Sequence, residues 1–281
     1  MSRQPFGCER STARKVRING LDLHLLEAGP AGAPPVVFLH GGAAHAHWFD
    51  RVIPALTDRF HTLALDQRGH GASAWASPPA YATEDFAADL LALLDELGWR
   101  RAALVGHSMG GHNAMGFSAW HPDRVSALAI VDSRPSLPPD RVDRMRERGL
   151  RPPHLHPTEE LAVQSFRLLP KETTADPELL GHLARAGLIQ TDRGFRYRFD
   201  PACYANRKPV DCWPLLPQIT APTLVVRGEL SPILPAEMAA RLVASIPRAS
   251  AAEIAGAYHH VTLDAPDAFN RVLDGFLRGV L

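Results

Sequence analysis

Cysteine is scarce in this chain of 281 residues. Cys8, Cys203 and Cys212 are odd in number and widely spaced, which argues against a disulfide framework or a cysteine-based zinc site. No stretch approaches the roughly 18 consecutive apolar residues of a membrane span. The first residues, Met-Ser-Arg-Gln-Pro-Phe-Gly-Cys-Glu-Arg, lack the apolar h-region of a secretory signal. Neither sign of charge is in excess, with Lys plus Arg at 30 and Asp plus Glu at 30, so nothing marks a nucleic acid or an anionic membrane as partner. Internal repeats and low-complexity tracts are missing too. These absences lead to the expectation of a soluble, cytoplasmic protein with a ragged first ten residues.

What is present is enough for a folded globular chain. Hydrophobic residues make up 46% and charged residues 21%, so a large core can form and wholesale disorder is excluded. The length suits one large α/β domain, with or without an inserted segment. Short extended runs at 15–18 and 21–26 flank Asn19-Gly20, a dipeptide suited to the positive φ of a tight hairpin. Residues 36–39 form a continuous apolar run, as in a strand buried on both faces of a parallel sheet. A helix is expected at about 49–56 and a strand at 61–65. Thr83 reads as an N-cap with Glu84 and Asp85 in the first turn. Phe86, Leu90, Leu94 and Leu97 then repeat at helical spacing until Gly98 stops the helix. Strands at 102–105 and 125–131 enclose a small-residue helix at 109–120. Such alternation implies a parallel sheet covered by helices. It breaks at Ser133. From 134 to 212 the chain is rich in Pro and Arg, with amphipathic helical fragments such as 159–169 and 178–186. The strand pattern resumes at 223–226, a helix opens at Pro235, and a strand at 251–254 and a helix at 266–277 close the chain.

Gly106-His107-Ser108-Met109-Gly110 matches G-x-S-x-G in the context that gives the pattern meaning, after a buried strand and at the start of a helix. The glycines permit a tight turn, and the turn projects the Ser108 hydroxyl beyond the sheet edge. The helix N-terminus behind it favours developing negative charge. The bland alternative is a packing turn whose serine only caps the helix. Three further motifs occur in order. His40-Gly41-Gly42 follows the third strand, Asp66-Gln67-Arg68-Gly69-His70-Gly71 follows the fourth, and Gly256-Ala257-Tyr258-His259 with Leu263-Asp264-Ala265-Pro266 stands near the end. Over nearly its whole length the sequence resembles the α/β-hydrolase family.

That resemblance implies the α/β-hydrolase fold: a mostly parallel sheet of about eight strands, helices on both faces, and an inserted helical lid. The core would comprise 1–133 and 213–281 and the lid 134–212, a second packing layer being the ungated alternative. The resemblance implies Ser108 as nucleophile, and an oxyanion hole from the backbone N–H groups of Met109 and Gly42. Gly41, His45 and His107 are expected beside the substrate. The base is expected late in the chain, and counting back from Asp264 and Pro266 selects His259 over His260, which would face the lid or serve the structure. Where most members carry the acid, after the seventh strand, this sequence has Arg227-Gly228-Glu229-Leu230-Ser231-Pro232. Ser231 occupies the usual acid position and cannot orient an imidazole as a carboxylate does. Some members carry the acid after the sixth strand, which points to Asp132, with Glu229 as the reserve candidate and a hinge-capping role as Asp132's alternative.

The implied chemistry is cofactor-free cleavage of a carboxylic ester, lactone or related acyl bond in a small-molecule substrate, by a monomer or homodimer. Carbon–carbon bond hydrolysis, a lyase reaction or cofactor-free dioxygenation on the same triad remain open, as does a slow-turnover ligand receptor. His45-x-His47 and His154-x-His156 suggest metal ligands, but neither has a complementing cluster, so no metal is expected. His45 and His47 are placed on the acyl side of the pocket. The Asp66–Gly71 loop is expected to fix loop geometry, and the arginines between 141 and 151 to form a solvated helix face.

Overall fold

The computed structural model describes residues 11–281, so Cys8 and the expected ragged start lie outside the described residues. Eight strands form one sheet: β1 (Thr12–Ile18), β2 (Leu21–Ala28), β3 (Pro35–Leu39), β4 (His61–Leu65), β5 (Ala102–His107), β6 (Val125–Val131), β7 (Thr223–Gly228) and β8 (Ala249–Ile254). Their order is β1-β2-β4-β3-β5-β6-β7-β8. The β1–β2 and β2–β4 pairings are antiparallel and the remaining five are parallel. Asn19 and Gly20 both take positive φ, 49° and 78°, in the β1–β2 turn.

Alternate residues of the central strands feed two cores on opposite faces. Val36, Phe38, Ala103 and Val105 pack with Phe269, Leu273 and Leu277 of a terminal helix (Pro266–Val280). Val37, Leu39 and Leu104 pack with Leu90, Leu93 and Leu94 of α1 (Thr83–Glu96) and with Met115 and Phe117 of α2 (Met109–Trp120). Phe38 and Leu104 are wholly buried, and each such side chain contributes about 1.5–3 kcal/mol. Covering on both faces is why these strands read as unbroken apolar runs.

Two local expectations are corrected. The segment 49–56 is not one helix but two 3-10 turns, Ala46–Phe49 and Ile53–Ala55, the second carrying Pro54 in its first turn. Thr83 is not the N-cap of α1. Ala82 is, and its N–H is met by the Asp85 carboxylate at 2.7 Å, while Thr83 Oγ1 accepts from Val210 N at 3.1 Å. Gly98 does end α1, with φ 67°.

After β6 the chain leaves the sheet. It forms α3 (Pro139–Gly149), α4 (Glu159–Ser165) and α5 (Pro177–Ala186). A hairpin of Leu188–Thr191 with Gly194–Tyr197 and a short helix, Ala202–Ala205, follow. The segment thus carries the expected helical fragments and, in addition, a β-hairpin that the sequence reading did not include. Turn formation at Asp192-Arg193-Gly194 allows the hairpin, Gly194 taking φ 116°. Arg207–Lys208 pairs with Tyr81–Ala82 of the core, and the Tyr81 hydroxyl bonds the Asp200 carboxylate, so the segment is fastened where it returns.

Candidate active site

β5 ends at His107, α2 begins at Met109, and the turn between them is Ser108. Ser108 has φ 52° and ψ −116°, a conformation that costs on the order of 1–3 kcal/mol for a residue with a side chain. The surroundings hold it there. Its N–H donates to Val131 O at 3.0 Å, and its carbonyl accepts from Ser133 Oγ at 2.6 Å and His112 N at 3.0 Å. The flanking glycines follow from close packing. A Cβ on Gly106 would lie 2.5 Å from Gly110 O, and one on Gly110 would lie 2.1 Å from Leu39 O. Any side chain there would lift α2 off the strand ends.

The Ser108 hydroxyl lies 3.0 Å from His259 Nε2, and His259 Nδ1 lies 2.8 Å from Asp132 Oδ1. Three residues distant in sequence thus form one hydrogen-bonded chain. Asp132 follows β6 directly with φ 44°, its N–H bonded to Val226 O of β7 at 2.7 Å. The carboxylate has two further donors, Gly228 N to Oδ2 at 2.9 Å and Ser231 Oγ to Oδ1 at 2.5 Å. Burial pushes its pKa up to about 6, against the opposing pull of Ser231 and Gly228. Burial, then the neighbouring His260 and Arg141, hold the His259 imidazole well below its ordinary value, so it is neutral at pH 7. A neutral ring donating from Nδ1 presents Nε2 as acceptor to the serine.

Glu229 lies elsewhere. It is exposed, and its carboxylate accepts from Gly256 N at 2.8 Å. His260 lines the small cavity with Ser108, but its Nε2 donates to Pro170 O of the inserted segment at 2.8 Å rather than engaging the serine.

Ser108, Met109, Gly42 and His259 line one cavity of about 530 Å³. Met109 is the first residue of α2, so helix geometry leaves its N–H without an intrahelical acceptor. Gly42 lies beside it, within 3.4 Å of Tyr204 and 3.9 Å of Met109 Sδ as measured from a Cβ built on Gly42. Gly41 and His107 reach Ser108 through a smaller cavity of about 50 Å³. His107 is wedged between the candidate base and the glycine turn, its Nε2 donating to His259 O at 2.9 Å.

His45 is misplaced by the sequence reading. It lines neither cavity, because its ring is buried and tied to Leu183 O of α5 at 3.0 Å. His47 is likewise off both walls and bonds Asp50 at 2.9 Å, and His182 of α5 bonds the same carboxylate oxygen at 2.7 Å. His47, Asp50 and His182 bring donor atoms within 4.8 Å of one another, as do His107, His259 and His260. Hydrogen bonds of His47 and His182 to Asp50 account for the first group, and in the second His259 is engaged by Ser108 and Asp132 and His260 by Pro170 O. Asp66 fixes its loop as expected of that motif, accepting from His24 Nδ1, Ala46 N and Ala72 N at 2.6–2.8 Å.

The inserted segment supplies what the sequence reading missed. Tyr204 lines the large cavity, and so do Arg134, Arg141, Arg144, Arg148, Arg151 and Arg207. The α3 face is solvated as expected, with Arg144 and Arg148 exposed, and it also forms one wall of the cavity. Positions 141, 144, 148 and 151 recur every three or four residues, one face of a helix, and that spacing was the available signal. Arg207 and Tyr204 had no local signal, since chain reversal alone brings them back.

A strained serine turn between a central parallel strand and a helix, with an imidazole and a carboxylate delivered from later strand ends, is the arrangement of the α/β-hydrolase class. A family model described as alpha/beta hydrolase fold matches residues 34–266, and the chain belongs to that family. It is 28% identical over 268 residues to 2-(acetamidomethylene)succinate hydrolase of Mesorhizobium japonicum, covering 94% of this chain and 95% of the relative. A 2-hydroxy-6-oxononadienedioate/2-hydroxy-6-oxononatrienedioate hydrolase of Paraburkholderia xenovorans is 30% identical over 280 residues, with 96% of each chain covered. The crystal structure of E-2-(acetamidomethylene)succinate hydrolase superposes with a TM-score of 0.85 at 27% identity, covering 95% of this chain and 99% of that one.

Proposed function

We propose that the protein is a serine hydrolase cleaving a carboxylic ester, lactone or related acyl bond, with Ser108 as nucleophile, His259 as base and Asp132 as acid. The observation that carries this reading is the continuous Ser108–His259–Asp132 hydrogen-bond chain, at 3.0 and 2.8 Å, in the wall of a cavity large enough for a small substrate. Ser108 Oγ attacks the carbonyl carbon as its proton passes to His259 Nε2. The carbonyl oxygen becomes an oxyanion that the N–H groups of Met109 and Gly42 receive. Collapse breaks the acyl–oxygen bond, and the imidazolium returns the proton to the leaving alcohol. His259 then deprotonates a water that attacks the acyl-enzyme and releases the acid. Asp132 holds the Nδ1–H tautomer and stabilises the transient imidazolium. Residues 134–212 act as the cap that closes the cavity over the sheet edge.

Two relatives named as hydrolases, each aligned over nearly the whole chain, support a hydrolytic reaction. The second, a 2-hydroxy-6-oxononadienedioate hydrolase, keeps carbon–carbon bond hydrolysis at the same serine as an alternative. A graded panel of aryl esters, lactones and vinylogous 1,5-diketones tests the choice. Turnover of esters or lactones that disappears in Ser108→Ala supports the reading. Turnover of the diketones alone favours the alternative, and activity surviving in Ser108→Ala contradicts both.

A further inference from the structure

The large cavity is cationic to a degree that the zero net charge of the chain does not suggest. Six arginines face it and Glu147 is the one carboxylate among its lining residues. The exposed Arg144 is neutralised by Asp140 at 2.6 Å. Among the described residues, none of Arg134, Arg141 and Arg207 makes an ion pair within 4 Å with any carboxylate.

These three are also the less exposed members. Arg207 is buried, held by Tyr81 O at 3.3 Å and Asn113 Oδ1 at 2.8 Å, both neutral acceptors. Arg134 Nε is buried with no hydrogen-bond partner. Its backbone carbonyl is fixed by His112 Nδ1 at 3.2 Å, and His112 Nε2, beside the same cavity, is buried without a partner as well. Arg141 is half-buried, and the nearby Arg134 charge weighs against it. Guanidinium groups withdrawn from water, Arg207 fully and Arg134 and Arg141 in part, with no carboxylate within 4 Å, are costly to maintain unless something else supplies the charge. Their forked donors match a planar or tetrahedral oxyanion.

We propose that Arg134, Arg141 and Arg207 form a receptor for a carboxylate or phosphate carried by the substrate, so that the compound cleaved at Ser108 is an anion. The catalytic half of this statement rests on the serine-hydrolase reading above, whereas the receptor is testable without it. Ser108 and the three arginines line a single cavity, so one molecule spans reactive carbonyl and charged group. The hydroxyl of Tyr204 lies on the same wall, and burial keeps it protonated, its pKa pushed up to about 12. It offers a neutral donor between the two ends.

Two arms test the proposal. In the first, kcat/KM is measured for monomethyl glutarate and monomethyl adipate against their dimethyl esters. The half-esters are expected to be favoured by about tenfold or more, and the ratio to fall at least tenfold in Arg141→Gln and in Arg134→Gln. Diesters cleaved as well as half-esters, or a ratio unchanged in both variants, would overturn it. In the second arm, calorimetry on folded Ser108→Ala measures binding of glutarate, adipate and phenyl phosphate. Dissociation constants of about 1 mM or tighter, weakened about tenfold by adding Arg141→Gln, support the receptor. Whether the dicarboxylates or the phosphate bind more tightly identifies the oxyanion. If no ester is cleaved but the anions bind, the hydrolase reading fails and the receptor stands. No binding of any of the three at about 10 mM overturns the receptor, whatever the ester assays give.

Discussion

Ser231 donates a 2.5 Å hydrogen bond to Asp132 Oδ1, the same oxygen that lies 2.8 Å from His259 Nδ1. The residue at the family's usual acid position thus supports a carboxylate supplied from the neighbouring strand. β6 and β7 pair in parallel with Val131 beside Val226, so residues just past their ends converge on the same point. An acid from either strand can therefore reach one histidine loop.

Asp132→Asn is expected to cripple turnover. The equivalent change in a serine protease of another fold costs about 10⁴ in kcat by favouring the wrong tautomer. Ser231→Ala removes one donor to a charged acceptor and leaves Gly228 N in place. Such bonds contribute about 1.5–3 kcal/mol, so a loss of roughly ten- to a hundredfold in kcat is expected if that bond acts fully in the transition state. Glu229→Gln should be mild. Steady-state kinetics with melting curves decide it. An inactive Glu229→Gln beside an active Asp132→Asn would move the acid to Glu229.

The two adjacent histidines separate by partner. His259→Ala should be nearly inactive, because no other imidazole faces Ser108 Oγ within hydrogen-bond reach among the described residues. His260→Ala loses a bond to Pro170 O in the cap and should retain substantial kcat with a raised KM. The opposite order of damage, measured with one ester, would shift the base by one residue.

Much of this was legible because the α/β-hydrolase motifs are local. Gly106–Gly110 sits in a strand–turn–helix whose apolar runs fix the register, and the spacing from His259 to Asp264 and Pro266 lies within one loop and helix start. His45 was misread because proximity in sequence to Gly41-Gly42 does not fix the direction of a side chain. The 3-10 turn at Ala46–Phe49 points that ring to α5 instead. Arg144 and Arg148 of α3 were read correctly as exposed, but their place on the cavity wall was missed for a different reason. A charged helix face reads as solvated unless the opposing wall is known, and here it is built from Tyr204 and Arg207, more than fifty residues downstream.

The pH profile of kcat/KM carries a sign. Burial first, then the neighbouring His260 and the Arg141 cation, disfavour the imidazolium of His259, so the free base persists below pH 6.5. The acid limb of kcat/KM, taken on a neutral ester, is therefore expected below 6.5. Arg141→Gln removes that cation, makes the imidazolium easier to form, and should move the limb upward. A limb at or above 6.5 in the parent protein, or one that moves down in the variant, would contradict this electrostatic picture.

Stability should also respond to acid before the carboxylates titrate. Buried His40 uses its neutral ring fully, Nδ1–H donating to Gly41 O at 2.7 Å and Nε2 accepting from Gln67 N at 3.0 Å, and burial lowers its pKa to about 4. Burial lowers His70 to about 3. Below 6.5 the unfolded chain binds protons that these rings refuse, so stability falls as pH falls. The loss is on the order of 3 kcal/mol for a group such as His40 by about pH 4. His47 works the other way, since Asp50 raises it despite burial, but it is one group against several. Melting temperature is expected to decline from about pH 6.5. A flat profile to about pH 4.5 followed by a sharp drop would assign acid unfolding to carboxylates instead.

The central claim is that Ser108 is the nucleophile, and covalent labelling tests it most directly. The protein is incubated with a fluorophosphonate, its intact mass is taken, and the adduct is mapped by peptide sequencing. One adduct per chain is expected, on Ser108, formed in step with loss of activity. Ser108→Ala should take up no label, keep a native melting curve, and have turnover reduced by about 10³ or more. An adduct on another residue, or an unlabelled Ser108 in a fully inhibited enzyme, would contradict the account.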